Sequence, residues 1–76
     1  MTKLEFFREL QNIFDIDNKI DETTKIKDLP YDSLAIMGII STVDGNFGVR
    51  LKGVELSEIS SISDIIAKIG EENFSK

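Results

Sequence analysis

Apolar residues recur at helical spacings in three stretches of this 76-residue chain. The first and last stretches have one apolar face, whereas the apolar residues of the middle stretch cover more than one face and should contact something beyond the core. The predicted helices cover 2–14, Ser33 to about Phe47, a short segment Leu56–Ile59, and a last segment that starts at Ser61 and weakens at Gly70. The segment 49–54 has no strand to pair with and is predicted as a loop, and 71–76 is expected to fray. We therefore expect an all-α fold: a small four-helix bundle with three longer helices, one short helix and a long first loop.

Residues typical of helix ends stand at these boundaries. Thr2 with Glu5, and Ser61 with Asp64, each fit a capping box, in which two residues satisfy each other's free backbone N–H groups. Gly48 is predicted to end the second helix, because the residue just past a helix often takes a left-handed conformation. Residue type and periodicity thus agree on where these helices begin and end.

The first loop, 15–31, is long for so small a domain, and loops of this length are usually functional or anchored to the core. Its apolar residues are expected to be the anchors: Ile16, Ile20, Ile26 and Leu29. One helical turn could form within 25–29. Pro30 then interrupts it and favours an extended conformation for the residue before it.

The chain contains no cysteine and no histidine, and both absences limit its chemistry. It can form no disulfide or thiolate metal site, and it lacks the commonest general base. A hydrolase built on a serine–histidine pair is therefore excluded. The acidic segment 15–21 does not fit a calcium loop, because Lys19 stands at a ligand position and Ile20 where the turn needs glycine. We predict no metal site.

Fourteen Asp and Glu against nine Lys and Arg give the chain a net charge of −5. An acidic surface repels phosphate backbones, so we expect no nucleic-acid partner. The N-terminus has no apolar signal region, and no apolar run approaches membrane-spanning length. We expect a single domain, 1–76, that is monomeric and cytoplasmic and does not insert into a membrane.

The tripeptide Asp32-Ser33-Leu34 opens the second predicted helix. Asp32 is a candidate N-terminal cap, because its carboxylate can accept hydrogen bonds from the first free N–H groups. Those N–H groups and the helix dipole favour anions, so a phosphate ester on Ser33 would be stabilised there. An ordinary helix start has the same three residues, and the tripeptide alone does not distinguish the two.

The residues around this tripeptide resemble the acyl carrier protein family. The segment 28–34, Asp-Leu-Pro-Tyr-Asp-Ser-Leu, is similar to that family's D-L-G-x-D-S-L pattern. The segment 43–47, Val-Asp-Gly-Asn-Phe, resembles the acidic run and phenylalanine that end the family's second helix. The similarity continues without a gap through 56–62, so it covers nearly the whole chain.

The resemblance implies a carrier and not an enzyme. It implies that a phosphopantetheinyl transferase, using coenzyme A and magnesium, attaches 4′-phosphopantetheine to Ser33. The thiol of that arm would carry acyl or aminoacyl groups as thioesters to acyl-transferring, ligase or synthase enzymes of one pathway. Asp32 would hold the helix start and help the transferase, and Leu34 would lie beside the arm. Some matched positions line the interior in which family members shelter a chain: Val43, Phe47, Leu51, Leu56 and Ile59. Plain core packing is equally compatible with those residues.

The second helix departs from the family pattern. Ala35, Gly38, Gly45 and Asn46 occupy positions that are acidic in carriers of primary fatty acid synthesis, and only Asp44 keeps a carboxylate. We therefore expect a specialised carrier, and not the carrier of primary fatty acid synthesis, whose partners are recognised by burial more than by charge. The candidate settings are polyketide-like or secondary-metabolite assembly, acyl or aminoacyl transfer to surface glycans, and partnership with a dedicated two-component ligase, and the sequence does not choose between them. The predicted partner contacts are Ala35, Ile36, Met37, Ile40 and Asp44. Ile36 and Ile40 fit a core position equally well.

A second hypothesis is an unmodified helical interaction module. It would dock a partner through the same apolar second helix, with Ser33 serving only as a helix-start residue.

Overall fold

The computed structural model describes residues 1–75 and contains four α-helices in that range. They are α1 (Lys3–Phe14), α2 (Ser33–Phe47), α3 (Gly53–Ser57) and α4 (Ile62–Ile69). Two short 3₁₀ turns, Ile26–Asp28 and Glu71–Asn73, lie in the first loop and after α4. The described residues form isolated β-bridges but no strand. The predicted all-α bundle of three longer helices and one short helix is confirmed.

Each helix, together with the first loop, contributes to one buried apolar cluster. Its members are Phe6, Leu10, Phe14, Ile20, Ile26, Ala35, Ile39, Val43, Leu51, Leu56, Ile62, Ile65, Ile66 and Ile69. A chain of this size has little apolar surface to bury, so two loop isoleucines are a substantial part of its core. Ile16 and Leu29 are partly buried against the same cluster, which confirms the predicted anchoring of the loop.

The first loop is also hydrogen-bonded to the start of α4. The Ile26 N–H donates to the Ser60 carbonyl at 2.9 Å, and the Ile62 N–H donates to the Thr24 carbonyl at 3.0 Å. Asp64 accepts from the N–H groups of Ser60 (2.8 Å) and Ser61 (3.2 Å). These hydrogen bonds lower the pKa of the Asp64 carboxyl. The predicted start of the last helix at Ser61 is confirmed, and the loop is held against it.

The predicted box of Thr2 and Glu5 defines the start of α1, and the predicted glycine cap defines the end of α2. Thr2 Oγ1 accepts from the Glu5 N–H at 3.1 Å, and Glu5 Oε1 accepts from the Thr2 N–H at 2.9 Å. The hydrogen bond from the Thr2 backbone is the main cause that lowers the pKa of Glu5. Gly48 takes the left-handed conformation, with φ 69°, and its N–H donates to the Asp44 carbonyl at 3.0 Å.

The third helix begins earlier than predicted. It covers Gly53–Ser57 instead of Leu56–Ile59, so part of the predicted loop 49–54 is helical. The side chain of Glu55 accepts from the Lys52 N–H at 3.2 Å, so Lys52 is the cap residue and the helix starts at Gly53. The sequence prediction overlooked this bond, because lysine is not a typical cap residue.

The predicted fraying of 71–76 is wrong for residues 71–75. Glu71–Asn73 form a 3₁₀ turn, and the Phe74 ring packs on Phe6 with 5.5 Å between centroids. An aromatic ring buried against the core holds the segment in place. Lys76 lies outside the described residues.

The helices α1 and α2 approach each other closely at Gly38. A Cβ atom added there would lie 3.1 Å from Ile13 Cγ2, which is tighter than most real contacts. Gly45 lies on the same helix, and a Cβ atom there would meet nothing within 4 Å. The two glycines therefore differ in what surrounds them, although both lie within α2.

This difference predicts that alanine substitutions at the two glycines change the stability of the fold differently. Gly45→Ala should raise the free energy of unfolding by up to about 1 kcal/mol, because alanine is the better helix former. Gly38→Ala should gain less or should destabilise the fold, because the new methyl group meets Ile13. Urea denaturation of both variants measures the difference, and equal stabilisation by both would contradict the close approach.

Candidate functional site

Ser33 is the first residue of α2, and its side chain is exposed. The residue before it, Asp32, caps the helix: its Oδ1 accepts from the Ala35 N–H at 2.9 Å. The first N–H groups of a helix have no partner within the helix and point away from its start. The hydroxyl of Ser33 is therefore accessible at a helix end that favours negative charge.

Tyr31, two residues before Ser33, anchors the end of the first loop through two contacts. The Tyr31 hydroxyl donates to the Leu56 carbonyl in α3 at 2.6 Å, and its ring lies 6.1 Å from the Phe14 ring at the end of α1. Burial raises the pKa of Tyr31 to about 12. Leu29, before Pro30, is extended as predicted, with φ −114° and ψ 154°. Tyr31 thus ties the site to two helices, a positioning role that the sequence analysis did not assign to it.

Exposed apolar side chains follow Ser33 along α2. Leu34 is 78% exposed and Met37 is 64% exposed, and residues three apart share one side of a helix. Val54 on α3 is 62% exposed, and the residue before it, Gly53, lies close to Ile36 of α2. We call Leu34, Met37 and Val54 the apolar surface. The sequence analysis missed Val54, because it placed this residue in a loop.

The predicted partner contacts on α2 divide into three groups. Ala35 is 3% exposed and belongs to the core, so its prediction as a partner contact is wrong. It lies four residues before Ile39, and this spacing places both on the buried side of α2. Ile36 and Ile40 are partly buried and pack against the core, whereas Met37 and Asp44 are exposed.

The residues predicted to line an acyl-chain cavity lie together in the interior. Val43, Leu51 and Leu56 are core members, with at most 7% of their surface exposed. Phe47 and Ile59 are partly buried and pack against the same cluster. This placement fits plain core packing and a chain-lining role alike, as the sequence analysis expected.

One family model matches most of this chain. Its description is "Phosphopantetheine attachment site", and it matches residues 5–69, from the first turn of α1 to the end of α4. The chain belongs to this family. Comparison with curated proteins and with solved structures gave no match.

Members of the phosphopantetheine attachment family bear 4′-phosphopantetheine as a covalent group, and this chain is a carrier of that type. Such domains are generally not catalytic, and they work with a phosphopantetheinyl transferase and with the enzymes of a pathway. The start of α2 suits such a group, because it combines an exposed hydroxyl with backbone N–H groups that favour a phosphate.

Within residues 1–75, no group of three or more metal-ligating side chains is placed to hold a metal ion. None of the helices in the described part of the chain is long and apolar enough to cross a membrane.

Substitutions of Asp32 test whether its side chain stabilises the start of α2. Asp32→Ala should lower the free energy of unfolding by about 1 kcal/mol, because the Ala35 N–H loses its acceptor. Asp32→Asn keeps an acceptor oxygen and should cost much less. Chemical denaturation measures both values, and equal losses in the two variants would contradict a capping role.

Proposed function

We propose that Ser33 is the residue that carries 4′-phosphopantetheine and that the protein is an acyl carrier protein. It would hold acyl or aminoacyl groups as thioesters and present them to the acyl-transferring, ligase or synthase enzymes of one pathway. The observation that carries the proposal is the exposed Ser33 hydroxyl at the capped start of α2, inside the matched segment 5–69.

The other serines of the matched segment support this choice, because most of their hydroxyls are engaged. Ser57 Oγ donates to the Val54 carbonyl at 2.8 Å, and Ser60 Oγ donates to Asp64 at 3.0 Å. Ser61 is buried, and its hydroxyl is bonded to that of Ser63 at 2.7 Å. Ser41 is exposed but lies in the middle of α2, away from any free helix end.

Ser33, Asp32 and the first backbone N–H groups of α2 would each have a separate role at the site. The Ser33 hydroxyl oxygen would bond to the phosphorus that bears the pantetheine of coenzyme A, and the pyrophosphate bond to adenosine 3′,5′-bisphosphate would break. The hydroxyl proton would pass to the transferase or to water. The free N–H groups of the first turn stabilise the negative charge of that phosphodiester. Asp32 caps the start of α2, and its side chain would also contact the transferase.

The attached group supplies the thiol that forms thioesters, because the chain itself has no cysteine. No protein thiol therefore competes with the arm for the carried group or forms disulfides with it.

Partner enzymes would bind at α2 mainly through apolar contacts. Leu34 and Met37 are exposed beside Ser33, Ile36 and Ile40 are partly exposed, and Asp44 is the one acidic side chain of the helix. Burying one such apolar side chain contributes roughly 1.5–3 kcal/mol, whereas an exposed ion pair contributes at most about 1 kcal/mol. This balance favours a specialised carrier over one that docks by an acidic helix.

Modification of Ser33 is tested by intact mass. After incubation with coenzyme A, magnesium and a broad-specificity phosphopantetheinyl transferase, the protein should gain the mass of one phosphopantetheine group. Ser33→Ala should gain nothing. Ser41→Ala is the matched control, because it removes another exposed serine of α2, and it should be modified as the wild type is.

Two outcomes would count against this proposal. An unmodified wild-type protein under several transferases would favour the alternative of an interaction module that docks through α2. Modification of Ser33→Ala, with none of Ser41→Ala, would move the attachment site to Ser41.

Docking through apolar contacts is tested with the same transferase as the probe. Met37→Ala should lower kcat/KM about tenfold, because it removes apolar surface that the enzyme buries. Asp44→Asn should change it less than about threefold, since an exposed charge contributes little. Raising the salt from about 0.1 to 1 M shortens the Debye length from about 10 to 3 Å, and the rate should respond weakly. A steep loss with salt would contradict apolar docking.

A further inference from the structure

The short helix α3 depends on the rest of the fold for its orientation. It has five residues, and a helix that short is not stable in water on its own. Leu56 is the one residue of α3 that is buried, and its side chain is fully enclosed in the core. At the other end of the helix, a Cβ atom added at Gly53 would lie 4.0 Å from Ile36 Cγ2 of α2. Both contacts are apolar and non-directional, so they set the orientation of α3 only loosely.

A directional contact holds the end of α3. The Tyr31 hydroxyl donates to the Leu56 carbonyl at 2.6 Å, which lies within the range of well-formed O–H···O hydrogen bonds. The last carbonyls of a helix have no N–H partner within the helix. The Ser60 N–H, which would continue the helical ladder from Leu56, donates to Asp64 at 2.8 Å instead. The Tyr31 hydroxyl thus satisfies a carbonyl that α3 itself leaves free.

Tyr31 is in turn held by its own surroundings. Its N–H donates to the Leu29 carbonyl at 2.8 Å, and its neighbour Pro30 has a φ angle that is fixed by the proline ring. The Tyr31 ring packs on the Phe14 ring, with 6.1 Å between centroids. Burial raises the pKa of Tyr31 to about 12, so the hydroxyl keeps its proton at neutral pH. Tyr31 therefore offers α3 a donor whose position is fixed.

The hydrogen bond of Tyr31 joins the start of α2 to α3, because Tyr31 lies two residues before Ser33. Val54, on α3, is 62% exposed and forms the apolar surface together with Leu34 and Met37 of α2. The orientation of α3 determines where Val54 lies relative to those two side chains. Two members of the apolar surface are thus placed by α2 itself, and the third is placed by Tyr31 through α3.

We propose that Tyr31 is a positioning residue for partner enzymes, because its hydroxyl holds α3 so that Val54 stays in place in the apolar surface. This inference rests on the proposed carrier function. With the hydrogen bond, an enzyme that reaches Ser33 meets an apolar surface that is already arranged. Without it, α3 takes other orientations, and the enzyme has to order the helix on binding, which lowers the affinity. Ser33 itself stays at the start of α2, because Asp32 caps that start.

The kinetics of the phosphopantetheinyl transferase separate positioning from a purely structural role. Tyr31→Phe keeps the ring and removes the hydroxyl. It should raise KM for the carrier about fivefold, the effect of one typical hydrogen bond, and should leave kcat within about twofold. Circular dichroism at the assay temperature confirms that the variant is folded. A lower Tm with unchanged kcat and KM would show a structural role alone and would overturn the proposal.

Ser57→Ala is the matched control, because it removes another hydroxyl that is bonded to a carbonyl of α3. Ser57 Oγ donates to the Val54 carbonyl at 2.8 Å within the helix, so its loss leaves the link to Tyr31 intact. This variant should keep the wild-type KM. An equal rise of KM in Ser57→Ala and Tyr31→Phe would assign the effect to the stability of α3 and would contradict a specific role of Tyr31.

A double-mutant cycle tests whether Tyr31 acts through Val54. Val54→Ala should raise KM in the wild-type background, because the enzyme loses apolar surface to bury. In the Tyr31→Phe background the same substitution should raise KM by a smaller factor, since Val54 is no longer held in place. Two independent effects, whose factors simply multiply, overturn the proposal.

The outcomes separate this inference from the function on which it rests. Loading of Tyr31→Phe with wild-type kinetics overturns the positioning role and leaves the carrier function intact. Absence of loading of the wild-type protein under several transferases overturns both.

Discussion

The hydrogen bond from the Ala35 N–H to the Asp32 carboxylate sets the first residue of α2, and the arrangement of the site follows from it. Successive residues of a helix point about 100° apart, so neighbouring residues at the start of α2 face different sides. With the observed start, Ala35 and Ile39 face the core, whereas Leu34 and Met37 face outward. The same start leaves Ser33 exposed on the first turn, which is where a phosphate ester is stabilised.

Most of this framework could be predicted from the sequence, because helix ends depend on short-range chemistry. The box of Thr2 and Glu5, the start of α4 at Ser61 and the left-handed Gly48 all involve residues at most four apart. Periodicity likewise predicted that the first loop is anchored, and Ile20 is buried as expected. The segment around Ser33 was recognisable for the same reason, since its pattern is continuous along the chain.

The features that the sequence analysis missed depend on contacts between distant parts of the chain. Phe74 lies in a polar terminal segment that the sequence predicts to fray, and its ring packs on the rings of Phe6 and Phe47. Ala35 carries too little apolar surface for periodicity to assign it to the core. Tyr31 stands at the unspecified position of the related pattern, and its bond to Leu56, 25 residues away, becomes visible only in the fold.

The attachment of the arm to Ser33 is the central claim, and the protein isolated from the cells that make it tests that claim most directly. Trypsin releases residues 28–50 as one peptide, which contains Ser33, Ser41 and Thr42. Tandem mass spectrometry of this peptide should find phosphopantetheine on Ser33, with the carried group still attached to part of the sample. Phosphopantetheine on Ser41 or Thr42, or a peptide that is never modified, would contradict the account.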